Sequence, residues 1–158
     1  MAGTADLQLA VVNAISSLRH HSGVVQPNVD VSVEAQNRLV MVTVVGFLGA
    51  DELRDIEARR VAAVKSLGGD LRDHCTLFEV TRCSVLPRDL SDHATRMLAR
   101  SVLPARRLAF ATGSALARMQ LGRFHARPNL ALFQDVQSAR EWLLEEVPRL
   151  AAGAPRAA

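Results

Sequence analysis

Tyrosine is absent from this chain of 158 residues, tryptophan occurs once (Trp142) and lysine once (Lys65). Scarce aromatic rings leave few platforms on which bases could stack, and the arginines that dominate the positive charge are spread along the chain. With a net charge of only +3, no nucleic-acid partner is expected, since such binding needs a basic face and stacking surfaces. The preference for arginine reads as the codon bias of a GC-rich, bacterial genome. No stretch approaches the roughly 18 consecutive apolar residues of a spanning helix, so no membrane span is expected. The first positive charge is Arg19, and the apolar stretch Leu9–Ile15 has no basic region ahead of it. No secretory leader is therefore read, and a cytoplasmic location is expected. Cys75 and Cys83 fit neither a C-x-x-C nor a zinc spacing and read as reduced thiols, Cys75 buried. The five histidines (His20, His21, His74, His93, His125) are scattered, with no carboxylate or cysteine at a ligand-like interval. Neither a metal nor a cofactor is expected. The phosphate-cradling patterns G-x-x-x-x-G-K and G-x-G-x-x-G are also missing.

What is present is an ordinary globular make-up, 49% hydrophobic and 22% charged, in a length that supports one domain with a real core. Residues 1–28 read as an N-terminal extension. Leu7, Val11, Ala14, Ile15 and Leu18 fall on one stripe of a helix over 6–19, which docks on the domain or on a second copy, giving a possible homodimer. Residues 29–148 form the domain. Val29, Val31 and Val33 alternate with polar residues as in a half-buried edge strand, and Glu34–Arg38 turns it into the more buried strand Leu39–Val45, an antiparallel hairpin. Gly49 precedes an acidic helix start, Asp51 and Glu52, and Gly68-Gly69 stops that helix after Leu67. His74–Val80 is the central strand, followed by a polar turn and a helix from Arg88 to Val102. Arg107–Ala111, a short helix capped by Ser114, and Asn129–Phe133 follow. Asp135 caps a last helix with Val136, Ala139, Trp142 and Leu143 inward, closed by Pro148. Residues 149–158 read as a disordered tail. Strand–helix alternation of this kind builds an α/β fold: a mixed central sheet of about five strands with helices packed on it.

One residue breaks its pattern. Arg60 falls inside the apolar stripe of Leu53, Ile56, Val64 and Leu67. Its stem packs while its head reaches water or a carboxylate such as Glu57; the sharper alternative is a cation facing a pocket.

Ser84, His93 and Asp89 or Asp92 supply the residue types of a hydrolase triad, but Asp92 and His93 are neighbours on one helix and point about 100° apart. No G-x-S-x-G elbow surrounds any serine. Cys83, with Arg82 and Arg88 near a helix start, has the surroundings that would activate a thiol, and an idle cysteine, solvent-facing or half-buried, is the simpler reading. A small thiol- or serine-dependent enzyme at Cys83, Ser84 and His93 is thus an alternative to a protein that is not an enzyme.

The element order, together with Arg38–Phe47, Asp51–Glu57, Leu77–Cys83, Arg106–Phe110, Ser114–Met119 and Ala131–Trp142, resembles the STAS fold of anti-sigma-factor antagonists, and its SpoIIAA-like (STAS/SEC14-type) branch more closely. The resemblance covers about residues 29–147. In those antagonists the turn after the central strand leads to an Asp-Ser-Ser-Gly motif whose serine a partner kinase phosphorylates. Pro87-Arg88-Asp89-Leu90 stands there instead, so neither phosphoserine nor partner switching is carried over. The resemblance implies a non-catalytic binding or regulatory module for a protein partner, or alternatively a carrier of a lipid or other apolar small molecule. Ligands of α/β sheets gather at the carboxyl ends of strands, which places the candidate site at Thr81, Arg82, Cys83, Ser84, Arg88 and Asp89.

Overall fold

Alternating valines commit the first strand to one buried face. Strand β1 (Asn28–Glu34) pairs antiparallel with β2 (Leu39–Gly46), from Asn28 opposite Val45 to Glu34 opposite Leu39. A single 3-10 turn, Ala35–Asn37, joins them, and Arg38 leaves it with a φ of 48°. The Arg38 guanidinium then donates to the carbonyls of Gly68, Asp70 and Asp73, which fastens the hairpin to a distant loop. The computed structural model describes residues 27–124 and 127–145. The helix read over 6–19, Pro148 and the tail from 149 lie outside the described residues.

Helix α1 (Ala50–Ser66) begins where the Glu52 carboxylate accepts from the Gly49 N–H at 2.9 Å. It ends at Gly68 and Gly69, whose φ of 61° and 63° suits glycine. Strand β3 (Cys75–Cys83), helix α2 (Arg88–Ala99), strand β4 (Arg107–Ala111), helix α3 (Ala115–Leu121), strand β5 (Leu130–Phe133) and helix α4 (Val136–Leu144) complete the order. The strands lie β1-β2-β3-β4-β5 in one sheet, parallel from β2 onward. Two caps stand where the sequence places them: Ser114 Oγ accepts from Ala117 N–H, and the Asp135 carboxylate from Ser138 N–H at 2.8 Å. That second cap holds the Asp135 carboxyl below its ordinary range, chiefly through the backbone bond.

Two ends differ from the sequence reading. Helix α2 stops at Ala99 rather than Val102: Arg100 leaves helical backbone at φ −105° and ψ 11°, and Ser101 and Leu103 turn to Glu57 and Arg60 instead. Strand β3 runs on to Cys83 rather than ending at Val80, so the expected polar turn begins three residues late.

The sheet is covered on both faces. Helices α1, α2 and α3 pack over Val40, Val42, Val44, Phe78, Leu108 and Phe110, with the rings of Phe78 and Phe110 stacked at 5.0 Å. Among the described residues helix α4 alone covers the other face, setting Ala139 and Leu143 on Leu39, Cys75, Leu77, Ala109 and Ala111. Cys75 is fully buried there. Arg60 is buried at 3% exposure, and its head finds a carboxylate, as the first reading had it. Nε and Nη2 each donate to Glu57 at 2.8 Å, Nη1 donates to the Leu103 carbonyl at 3.1 Å, and Ser101 Oγ donates to Glu57 at 2.9 Å. The same arginine also lines a small cavity of about 30 Å³ with Ser101, Leu103 and Asn129. This network ties α1 to the connection leaving α2, and so fixes two walls of the site described next.

Candidate functional site

Strict alternation along β3 would send Phe78, Val80 and then Arg82 into the apolar layer under α1–α3. The strand avoids this with a bulge. Thr43 lies opposite Glu79, but Val45 lies opposite Arg82 and Gly46 opposite Cys83, so β3 carries one residue more than β2 across this stretch. An inserted residue reverses which side chains face in. Arg82 is exposed, and Cys83 is half-buried against the core. Ser84 N–H then closes the strand end by donating to the Gly46 carbonyl at 2.9 Å.

Beneath this end lies a cavity of about 90 Å³. Sheet residues Val44, Phe78, Val80 and Phe110 form its floor, with Leu53 and Ile56 of α1, Ala94, Met97 and Leu98 of α2, and Ala117 and Leu121 of α3 as walls. Cys83, Ser84, Val85 and Leu86 complete it. Among these residues only Ser84 is exposed, so the cavity meets solvent at the strand-to-helix turn. The lining is apolar apart from Ser84, Ser91 and Gln120. The Gln120 amide donates to the Leu86 carbonyl at 2.7 Å, which pins α3 to the turn and satisfies a carbonyl that would otherwise face the apolar space.

The six residues singled out from the sequence divide here. Cys83 and Ser84 line the cavity. Thr81, Arg82, Arg88 and Asp89 are exposed and do not line it: Thr81 Oγ1 donates to Glu79 at 3.0 Å, and Arg88 and Asp89 open helix α2. Cys83, Val85 and Leu86 are half-buried, so the turn faces water only in part. The sequence reading missed the apolar members, Val80, Leu86, Ala94, Leu98 and Leu121. Their helical and strand spacing marks them as core, and no local signal separates a core residue from a cavity wall.

Burial raises the Cys83 thiol above its ordinary range, the reverse of activation by Arg82 and Arg88. Asp92 pairs with Arg123 at 3.6 Å. Among the described residues no hydrogen bond joins the His93 imidazole to Ser84, Cys83 or a carboxylate, and no group of His, Cys, Asp or Glu is placed to hold a metal ion. No described helix is long and apolar enough to cross a membrane.

No family model and no curated protein matches the chain. Solved structures do. An uncharacterized protein of the DUF3478 family from Shewanella loihica, with a SpoIIAA-like fold, superposes with a TM-score of 0.58 at 13% identity. The match covers 77% of this chain and 98% of that one. An anti-sigma factor antagonist from Mycobacterium paratuberculosis gives a TM-score of 0.49 at 11% identity, over 73% of this chain and 94% of that one. The chain has a SpoIIAA-like fold.

Proposed function

We propose that the protein is a non-catalytic binding module whose site is the apolar cavity under the turn 83–86. The site takes an apolar anchor from an amphipathic helix of a protein partner. The observation that carries this reading is the wall itself: the strand end and turn that the fold offers to ligands are lined by carbon. The volume decides between occupants. An engineered apolar cavity of about 150 Å³ accepts a benzene ring, so about 90 Å³ takes one or two aliphatic side chains. A lipid carrier would need to enclose far more, which disfavours that alternative. Helix-in-groove recognition uses anchors of this size. Arg88, exposed where helix α2 opens after the turn, suits a carboxylate on the partner's polar face, because a guanidinium pairs a carboxylate in a fixed fork. The raised Cys83 thiol and the diverted Asp92 support the absence of catalysis. The test fills the cavity. Xenon, a probe small enough for an apolar cavity of this kind, should bind the full chain saturably at one site, and Ala94→Leu or Ala117→Leu should abolish that binding without unfolding the chain. Unchanged xenon binding in both variants would refute the site, and burst release of product from a generic ester would refute the non-catalytic reading.

A further inference from the structure

The two edges of the sheet are built differently. Strand β5 is four residues long, which gives an approaching strand little to pair with. Strand β1 runs for seven in an unbroken register, without the proline, lysine or bulge that commonly guards an edge. Which of its peptide groups face outward follows from hydrogen bonds further in. The Arg38 carbonyl accepts from Cys75 N–H at 2.9 Å, so it points to β3. Alternation along β2 then turns the peptide groups of Leu39, Met41, Thr43 and Val45 toward β1, where they stand opposite Glu34, Ser32, Asp30 and Asn28. The peptide groups of Val29, Val31 and Val33 are therefore the ones that face away from the sheet. One of them already has a partner from outside the ladder: Arg59 Nη1 donates to the Val29 carbonyl at 3.1 Å, which leaves that oxygen a second lone pair. Among the described residues no strand lies beyond this edge, and Val33 is 40% exposed on it.

We infer that β1 pairs antiparallel with β1 of a second copy, about a twofold axis at Val31, so that two five-stranded sheets become one. A twofold interface sets a surface against itself, and outward peptide groups must meet outward ones. Axes centred on a residue satisfy that condition, and Asp30, Val31 and Ser32 are the central candidates. The charges separate them, because like charges directly opposite are destabilising. An axis at Asp30 sets Asp30 against its own copy, and one at Ser32 sets Asp30 against Glu34. The axis at Val31 sets Asp30 against Ser32 and Asn28 against Glu34, with no like pair. In that register Val31 exchanges both backbone bonds with Val31 of the copy, and Val29 does so with Val33. Val33 thereby gains a valine beside it on the face it shares with Val29 and Val31. No β1 residue lines the cavity, so this pairing and the binding-module reading stand or fall separately.

Sedimentation velocity of the full chain should show a monomer–dimer equilibrium that moves toward dimer as concentration rises. Val33→Lys puts a charge on a position that is already exposed, and should weaken the dimer about tenfold, since the twofold counts the change twice. Val31→Pro removes an N–H that the pairing with β2 does not use, and should abolish the dimer. Circular dichroism checks that both variants keep the fold. The register has its own test. Asp30 and Ser32 of the copy form a non-hydrogen-bonded pair, with Cα atoms about 4.5 Å apart. Asp30→Cys chains mixed with Ser32→Cys chains should therefore form a disulfide between the two variants in a glutathione buffer. Neither variant should link to itself as readily, because that diagonal distance is about 7–8 Å. A chain that stays monomeric into the millimolar range overturns the pairing. So does a dimer indifferent to both substitutions, which associates by another surface. Self-linked Ser32→Cys chains without the mixed disulfide overturn the axis at Val31. Slow hydrogen exchange at the Val31 and Val33 amides of the monomer overturns the pairing in favour of an edge covered within the chain.

Discussion

Removing Glu57 should be far more damaging than its place on a helix flank suggests. Arg60 is 3% exposed and Glu57 17%, and the guanidinium has no alternative carboxylate among the described residues. Breaking a buried pair by deleting one partner costs about 3–5 kcal/mol, because the surviving charge stays desolvated. The partial exposure of Glu57 admits some water, so Glu57→Ala is expected near the lower end, about 3 kcal/mol. For a domain of this size that corresponds to a fall in Tm of roughly 10 °C. Replacing the pair together, Glu57→Leu with Arg60→Met, removes the charge and its desolvation at once. It leaves only Ser101 Oγ and the Leu103 carbonyl short of a partner, so the double variant should lie within about 1 kcal/mol of wild type. Urea denaturation followed by circular dichroism measures both. A Glu57→Ala cost below about 1 kcal/mol would mean that the pair is solvated. A double variant as unstable as the single one would mean that packing, and not the stranded charge, holds α1 to the connection after α2.

Leu77→Ala should destabilise the chain by about 3 kcal/mol, since a fully buried leucine is removed from between β3 and α4; an unchanged urea midpoint would refute that packing. His74 carries a pH dependence. It is fully buried, its Nδ1 donates to the Leu71 carbonyl at 2.6 Å, and its Nε2 has no partner among the described residues. Burial above all, and then the charges of Arg60 and Arg38, lower its pKa below the ordinary 6.5, while the Leu71 bond and Asp73 oppose them. The unfolded chain thus binds a proton that the folded chain refuses. Stability from this site is present above about pH 6.5 and is lost as the pH falls through the depressed folded value. His74→Leu should flatten that part of a stability profile between pH 5 and 8, and an unaltered slope would contradict the assignment.

The hairpin, the α1 stop and the two side-chain caps were legible because each rests on a local rule. Valine alternation, paired glycines and capping side chains act over a few residues. The end of β3 was not legible. A bulge has no sequence signature here: Val80-Thr81-Arg82-Cys83 reads equally well as a strand end or as a turn, and only the pairing with Thr43–Gly46 puts Cys83 inward. The cavity was hidden for a related reason. The spacing of Ala94, Leu98 and Leu121 says that they face inward, while the space left between them depends on how three helices stand on the sheet. Arg60 was legible in kind, as an arginine seeking Glu57, but its further bonds to Ser101 and Leu103 arise from residues more than forty positions away.

The most direct test of the account is methyl NMR of the full chain titrated with xenon, which apolar cavities admit. The account predicts saturable shifts gathered on Val80, Leu86, Leu98 and Leu121, the walls under the turn, and their loss in Ala94→Leu. Shifts scattered over the surface, gathered instead on Leu77 and Leu143 beneath α4, or persisting in Ala94→Leu would contradict it.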